Sequence, residues 1–355
     1  MSLHLAGVVL PEGEHRDLWV RDGRITFEPI AGAETVTRTG FILPGLVDAH
    51  CHVGLSPAGH AEPDAQRQQA YADRDAGALL VRDAGSPVDT RWLDDVADAP
   101  RIIRAGRHLA RTKRYIRDLA IELEPDELPA EIERQAARGD GWVKIVGDWI
   151  DRSTGDLAPE WPRETVFAAI ERAHASGARV AVHTFGDEAL PDLIAAGVDS
   201  IEHGTGLTED LIAVMAERRT ALIPTLINID NFPEIADSAA KFPVYASHMR
   251  RLYETSRPRL RAAYEAGVPI YAGTDAGGML EHGLIVDEVR ELHRAGMSTV
   301  DALGSASWKA REWLGLPGIE EGAPADLVVY DADPRADLGA LVQPGRIVLK
   351  GLVVR

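Results

Sequence analysis

Cysteine is nearly missing from this chain. Cys51 is the only one, so no intrachain disulfide can brace the fold, and a reducing compartment suits the composition. Long apolar stretches are missing too. No run approaches the roughly 18 residues that a membrane-spanning helix needs. The start, Met1-Ser2-Leu3-His4-Leu5, lacks the basic segment and apolar stretch of a secretory signal. The expected location is cytoplasmic. Basic residues are in short supply: 38 Lys and Arg stand against 56 Asp and Glu, a formal charge of −18. That balance argues against nucleic acid or an anionic membrane as partner. Low-complexity tracts are absent as well.

What is present reads as two kinds of structure. At the start, residues 3–9, 17–21 and 24–30 are short apolar runs, and Asp22-Gly23 between two of them is a hairpin signal. At the end, residues 325–330, 346–349 and 352–354 also read as strands. Neither terminal piece is large enough to bury a core alone. The expectation is one small β-sandwich domain from residues 1–43 plus 316–355.

Residues 44–315 alternate short apolar strands with helical segments. Eight candidate strands fall at 45–50, 78–82, 101–105, 142–146, 179–183, 200–203, 221–226 and 269–273. Eight strands alternating with helices fit an α/β fold of the (β/α)8 TIM-barrel type, with its active site at the C-terminal strand ends. Residues 227–262 form the longest connection. Phe232-Pro233 and Phe242-Pro243 suggest that it begins as a loop before a helix, and its length suits a lid or binding loop.

The strand ends carry the chemistry. His50 and His52 lie two apart on a strand, so both imidazoles face one side while Cys51 faces the other and packs. A lone strand histidine reads as a hydrogen-bonded core residue. His-x-His with His183 and His203 on later strands reads as metal ligation. Lys144, between Val143 and Ile145, is buried at a cost unless neutralised. Either a carboxylate pairs with it, or its amine has reacted with CO2 to give an anionic carbamate able to bridge two metals. Asp275 reads either as a loop or helix-capping carboxylate, or as a metal-touching group that moves a proton.

These pieces, in order, resemble the amidohydrolase superfamily, and more narrowly its imidazolonepropionase-like group with prolidase-type dipeptidases and carboxypeptidases. The matching segments are Leu43 to His52, Val81 to Gly85, Val143-Lys144-Ile145, Ala181-Val182-His183, Ile201 to Thr205, Pro224-Thr225-Leu226, Gly273 to Gly277 and Gly322 to Val329. The resemblance implies that His50, His52, Lys144 and Asp275 hold one divalent metal. It implies a second metal on His183 and His203, bridged by the Lys144 carbamate, with zinc as the usual ion. It further implies hydrolysis of an amide bond in a dipeptide, N-acyl amino acid or cyclic amide, with Asp275 as general base and acid. Imidazolonepropionase and the related ring deaminases use one metal and lack this lysine, so Lys144 argues against both activities. Ester or lactone hydrolysis, or a metal-dependent decarboxylation or isomerisation, stays open as an alternative, as does oligomeric state.

Seven cations without an acid crowd residues 101–117. They read either as a reader of an anionic group on a small-molecule substrate or as a stripe offsetting neighbouring acids. Relatives often carry a Gly-Gly-His-Gly-like stretch here, where this chain has Lys113-Arg114-Tyr115-Ile116. Arg114, Tyr115 and His282 are the candidate substrate contacts. His60, His108 and His248 lack a metal-like context and read as surface or core residues.

Overall fold

Apolar alternation at the two chain ends lets distant strands share one sheet. The computed structural model describes residues 2–355. In it the ends form eight hydrogen-bonded strands: Leu352–Val353, Arg346–Leu349, Leu327–Tyr330, Phe41–Pro44, Ser2–Val9, Glu14–Arg21 and Arg24–Thr26 in that order, with Glu34–Thr37 beside Ser2–Val9. Asp22 and Gly23 both take positive φ, 51° and 75°, the conformation that a two-residue hairpin turn requires. The strand expected over 24–30 stops at Thr26, three residues before Pro29, which has no N–H for a ladder. Leu5, Leu18, Ile42, Leu327 and Val348 fill one face of the sheet. Alternate residues Leu43, Val328, Ile347 and Leu349 join the core of the central part.

The central strands are parallel and fall into two sheets. One contains Arg101–Arg104, Ala78–Asp83 and Leu46–Cys51. The other contains Ile121–Leu123, His108–Arg111, Trp142–Val146, Arg179–Thr184, Ser200–His203 and Ala221–Ile223. The third expected strand is thus longer than the sequence suggested and broken. Its halves pair with different sheets, and Gly106 sits at the break with φ 72°, where a Cβ would lie 2.7 Å from Gln135 Oε1.

The eighth expected strand, 269–273, is not regular. Segment 269–276 instead bridges the two sheets through Leu222–Ile270 and Cys51–Ala276. The Ala49 N–H donates to the Ala272 carbonyl at 2.8 Å, and the Thr274 N–H to the His50 carbonyl at 3.0 Å. The segment runs close against both neighbours. A Cβ on Gly273 would lie 2.6 Å from Ile223 Cγ2 and 2.7 Å from His50 Cβ. Because the pairing is parallel, the C-terminal strand ends share one side, which gathers the polar residues.

Residues 227–262 are helical rather than loop-like at their start: Leu226–Ile229, Phe232–Ser238 and Pro243–Glu265 are helices. Pro233 and Pro243 occupy first-turn positions, where a missing N–H costs nothing. Those prolines therefore mark helix starts. Among the described residues no helix is long and apolar enough to cross a membrane.

Asp326 ties the terminal sheet to the central part. Its side chain is fully buried and accepts from Arg101 Nε at 2.5 Å and the Lys350 N–H at 2.9 Å, with Arg311 Nη2 at 3.8 Å. Asp326→Ala leaves the buried Arg311 without its carboxylate. The expected loss is about 3 kcal/mol, read as a lower urea midpoint at unchanged slope.

Candidate metal centre

Three acceptors converge at the end of strand Leu46–Cys51. His50 Nδ1 lies 2.5 Å from Glu202 Oε2, and His52 Nδ1 lies 2.7 Å from the Gly85 carbonyl. A carboxylate and a carbonyl only accept, so both Nδ1 atoms carry the proton and both Nε2 atoms are bare. Those Nε2 atoms stand 3.3 Å apart, with Asp275 Oδ1 at 3.1 Å from His50 and 2.8 Å from His52. Burial and the charge of Lys144 push His50 down, so a second proton is not held there. Three lone pairs aimed at one point call for a cation, and His50, His52 and Asp275 form a group able to hold one.

His203 and His183 adjoin this group. The His50 and His203 rings are 5.2 Å apart, and those of His203 and His183 4.7 Å. His203 Nε2 faces His183 Nδ1 at 3.0 Å, while His203 Nδ1 meets Thr225 Oγ1 at 2.7 Å. Burial first, then the charge of Lys144, pushes His203 down to about 3. Lys144 is itself buried with no hydrogen-bond partner for Nζ. Burial lowers it to about 8. It shares strand register with Ala181 and His108, and its charge reaches His50, His183 and His203. The structure therefore brings the four predicted histidines and Asp275 into one buried cluster, with Lys144 in electrostatic contact.

Residues without a predicted role orient that cluster. Glu202 receives both Arg82 Nη2 contacts at 2.9 Å and the Ser200 hydroxyl at 2.5 Å. Burial would raise Glu202, but Arg82 and His50 hold it well below its usual range. Asn228 Nδ2 donates to Asp275 Oδ2 at 2.7 Å. Asp48 accepts from the His50 and Thr274 N–H groups at 3.0 and 3.1 Å, which pins the two ligand-bearing segments together. An acid inside an apolar strand, next to His203 for Glu202 and two residues before His50 for Asp48, was the available signal. Nothing in the sequence marked Asn228.

His108, read from sequence as filler, is buried with its ring 5.0 Å from His52 and 5.7 Å from Tyr115. Gly85 makes room for it, since a Cβ there would meet His108 Nδ1 at 2.6 Å. Strand register with Lys144 was the signal, hidden by the break in the third strand. Tyr115 does reach the cluster, 6.0 Å ring to ring from His183. Arg114 does not: it bonds Asp151 at 3.0 Å and the carbonyls of Trp149 and Ala158 at 3.3 and 3.2 Å. Arg101 and Arg104 are likewise paired, with Asp326, Asp94 and Asp140. His282 is buried behind the strand, 2.8 Å from Asp73 and grouped with Cys51. Cys51 faces away from the imidazoles, as strand alternation demands.

A family model described as the amidohydrolase family matches residues 41–353. The chain belongs to this family. It is similar to an uncharacterized protein of Mycobacterium tuberculosis, with 59% identity over 352 residues, 99% of this chain and 95% of that one. Among solved structures it is similar to a putative prolidase from Bifidobacterium longum, with 26% identity, TM-score 0.85, and 99% and 94% of the two chains covered. A Xaa-Pro dipeptidase with bound methionine in its active site shares the fold, at TM-score 0.83 and 24% identity over 100% of both chains.

Buried neutral histidines carry a pH signature. The unfolded chain protonates His203 near pH 6.5, whereas the folded chain refuses the proton until about 3. The stabilising contribution is therefore complete above about 6.5 and is lost as pH falls toward 3, at up to about 1.4 kcal/mol per pH unit. In chelator-treated protein, the stability of wild type relative to His203→Gln should fall across this window. A pH-independent difference in denaturation midpoints contradicts the assignment.

Proposed function

We propose that this chain is a metal-dependent hydrolase that cleaves the carbon–nitrogen bond of a small amide. The carrying observation is the convergence of bare His50 Nε2, His52 Nε2 and Asp275 Oδ1 beside the facing His183–His203 pair. In this reading His50, His52, Lys144 and Asp275 hold one divalent ion, and His183 and His203 hold a second. Zinc suits the imidazole-rich donor set. Lys144, as a carbamate, would supply the anionic oxygens that such ions need. Two features favour that modification. The amine is buried without a counter-ion in hydrogen-bond reach, and a value of about 8 leaves roughly a tenth of it neutral at pH 7, the form that attacks CO2. A carbamate also replaces a buried cation among imidazoles by an anion that two cations satisfy.

When bound, such ions supply a hydroxide at neutral pH and polarise the scissile carbonyl. The remaining work falls to the chain. Asp275 takes a proton from the attacking water and returns it to the departing nitrogen. Asn228 holds the other oxygen of Asp275 and fixes its aim. Glu202, anchored on Arg82, keeps His50 in the tautomer that presents Nε2. Tyr115 lies beside His183, where it can meet the substrate. The likeness to a prolidase and a Xaa-Pro dipeptidase points to dipeptides or N-acyl amino acids as the first compounds to try.

Metal analysis should find about two ions per chain. Lys144→Ala should lose at least one of them, and Asp275→Asn should keep the fold while kcat falls about 100-fold or more. Full metal content in Lys144→Ala would remove the carbamate bridge. Wild-type turnover in Asp275→Asn would remove the proton-transfer role.

A further inference from the structure

Three aromatic rings stand over the second imidazole pair. Tyr115 and Trp149 are 4.6 Å apart, and Trp149 is 5.3 Å from the His183 ring. Phe185 completes the group at 4.4 Å from His183 and 4.8 Å from His203. Each ring comes from a different segment following a strand: the loop after His108–Arg111, the hairpin strand Asp148–Asp151, and the turn after Arg179–Thr184. Phe185 is buried against Phe232, 4.7 Å away, and is core. Tyr115 and Trp149 are only partly buried.

Some aromatic donors have partners: Trp92 donates to Gln66, Trp161 to the Val146 carbonyl, and Tyr264 to Asp301, whereas Trp142 Nε1 and the Tyr330 hydroxyl are buried without one. Among the described residues, the Tyr115 hydroxyl and the Trp149 indole N–H meet none, and neither is sealed from solvent. A ring with an apolar body and a free donor is the usual furniture of a binding surface rather than of a core. The loop carrying Tyr115 holds Lys113 and Asp118 at positive φ, 60° and 65°. Such backbone persists where its surroundings enforce it. Here Arg114 enforces it by pairing with Asp151, which joins the Tyr115 loop to the Trp149 hairpin. That pairing also uses up the guanidinium beside the rings, so a substrate carboxylate finds no free Arg114 there.

We infer that Tyr115 and Trp149, backed by Phe185, receive a planar, uncharged aromatic substituent of the amide, with the Tyr115 and Trp149 donors addressing polar atoms at its edge. This rests on the hydrolase reading of the same site and narrows its substrates to aryl amides. Planar rings stack on one another in ways that a saturated ring of equal size does not, so flatness as well as bulk is selected.

The test compares four neutral amides on metal-loaded protein: N-methylbenzamide, acetanilide, N-methylcyclohexanecarboxamide and N-methylacetamide. Binding is measured by calorimetry and cleavage by amine release. At least one aryl amide should bind 10-fold or more tighter than N-methylacetamide and at least threefold tighter than the cyclohexane compound. Trp149→Leu should abolish the aryl advantage while Trp149→Phe keeps most of it. Equal affinity across the four in wild type overturns the inference, as does an aryl advantage that survives in both Trp149→Leu and Tyr115→Leu. Selective aryl binding with no amide cleaved sinks the hydrolase reading but not the ring pocket. Cleavage without aryl preference sinks the ring pocket and leaves the hydrolase.

Discussion

The contact between Arg82 and Glu202 lies beneath everything else at this site. Both side chains are fully buried, and the guanidinium reaches both carboxylate oxygens at 2.9 Å. A buried ion pair earns little net stability because both charges leave water. This one is surrounded by partners. Arg82 also donates to the Ala49 carbonyl at 2.6 Å and stacks over Trp142 at 4.5 Å, and Ser200 donates to the acid. With its charge secured, Glu202 fixes the proton of His50 on Nδ1. That in turn leaves Nε2 as a bare acceptor opposite His52 and Asp275. Remove the guanidinium, and the carboxylate loses the reason to stay ionised in the interior.

Backbone conformation does the next part of the positioning. His203, Thr225 and Asp275 all take positive φ, at 66°, 47° and 60°. None is glycine, and Thr225 is β-branched, for which this region is a genuine outlier. Strand alternation alone places Ser200 and Glu202 on the inner face and would turn His203 outward. The left-handed turn at His203 brings its ring back toward His183, and Thr225 holds it there through Oγ1. Strain of this kind, at about 1–3 kcal/mol per residue, gathers where a site needs an arrangement that regular structure does not provide.

Electrostatics separates the two halves of the basic segment that the sequence presented as one feature. Arg101 and Arg104 serve as anchors between elements, paired with Asp326, Asp94 and Asp140. Arg114 fastens two loops to each other. None of the three offers its charge to the imidazole cluster. The residues of this segment that reach the cluster are His108 and the neighbour of Arg114, Tyr115. For these three cations the acidic partners lie elsewhere in the chain, where the run of residues 101–117 does not show them.

Local pattern settled a good deal by itself. His50 and His52 two apart on a strand, Lys144 between Val143 and Ile145, and His183, His203 and Asp275 at strand ends needed no coordinates to stand out, because few reasons exist to place such groups beside apolar runs. The Asp22-Gly23 turn and the sharing of strands between the chain ends were legible on the same grounds. What only the tertiary structure decided depends on neighbours far apart in sequence: the tautomer of His50, the entry of His108 into the cluster, the grip of Asn228 on Asp275, the burial of His282 against Asp73, and the irregular course of 269–276. Each is set by which atoms meet across the fold, and periodicity along one strand carries no information about the strand, loop or helix that will face it.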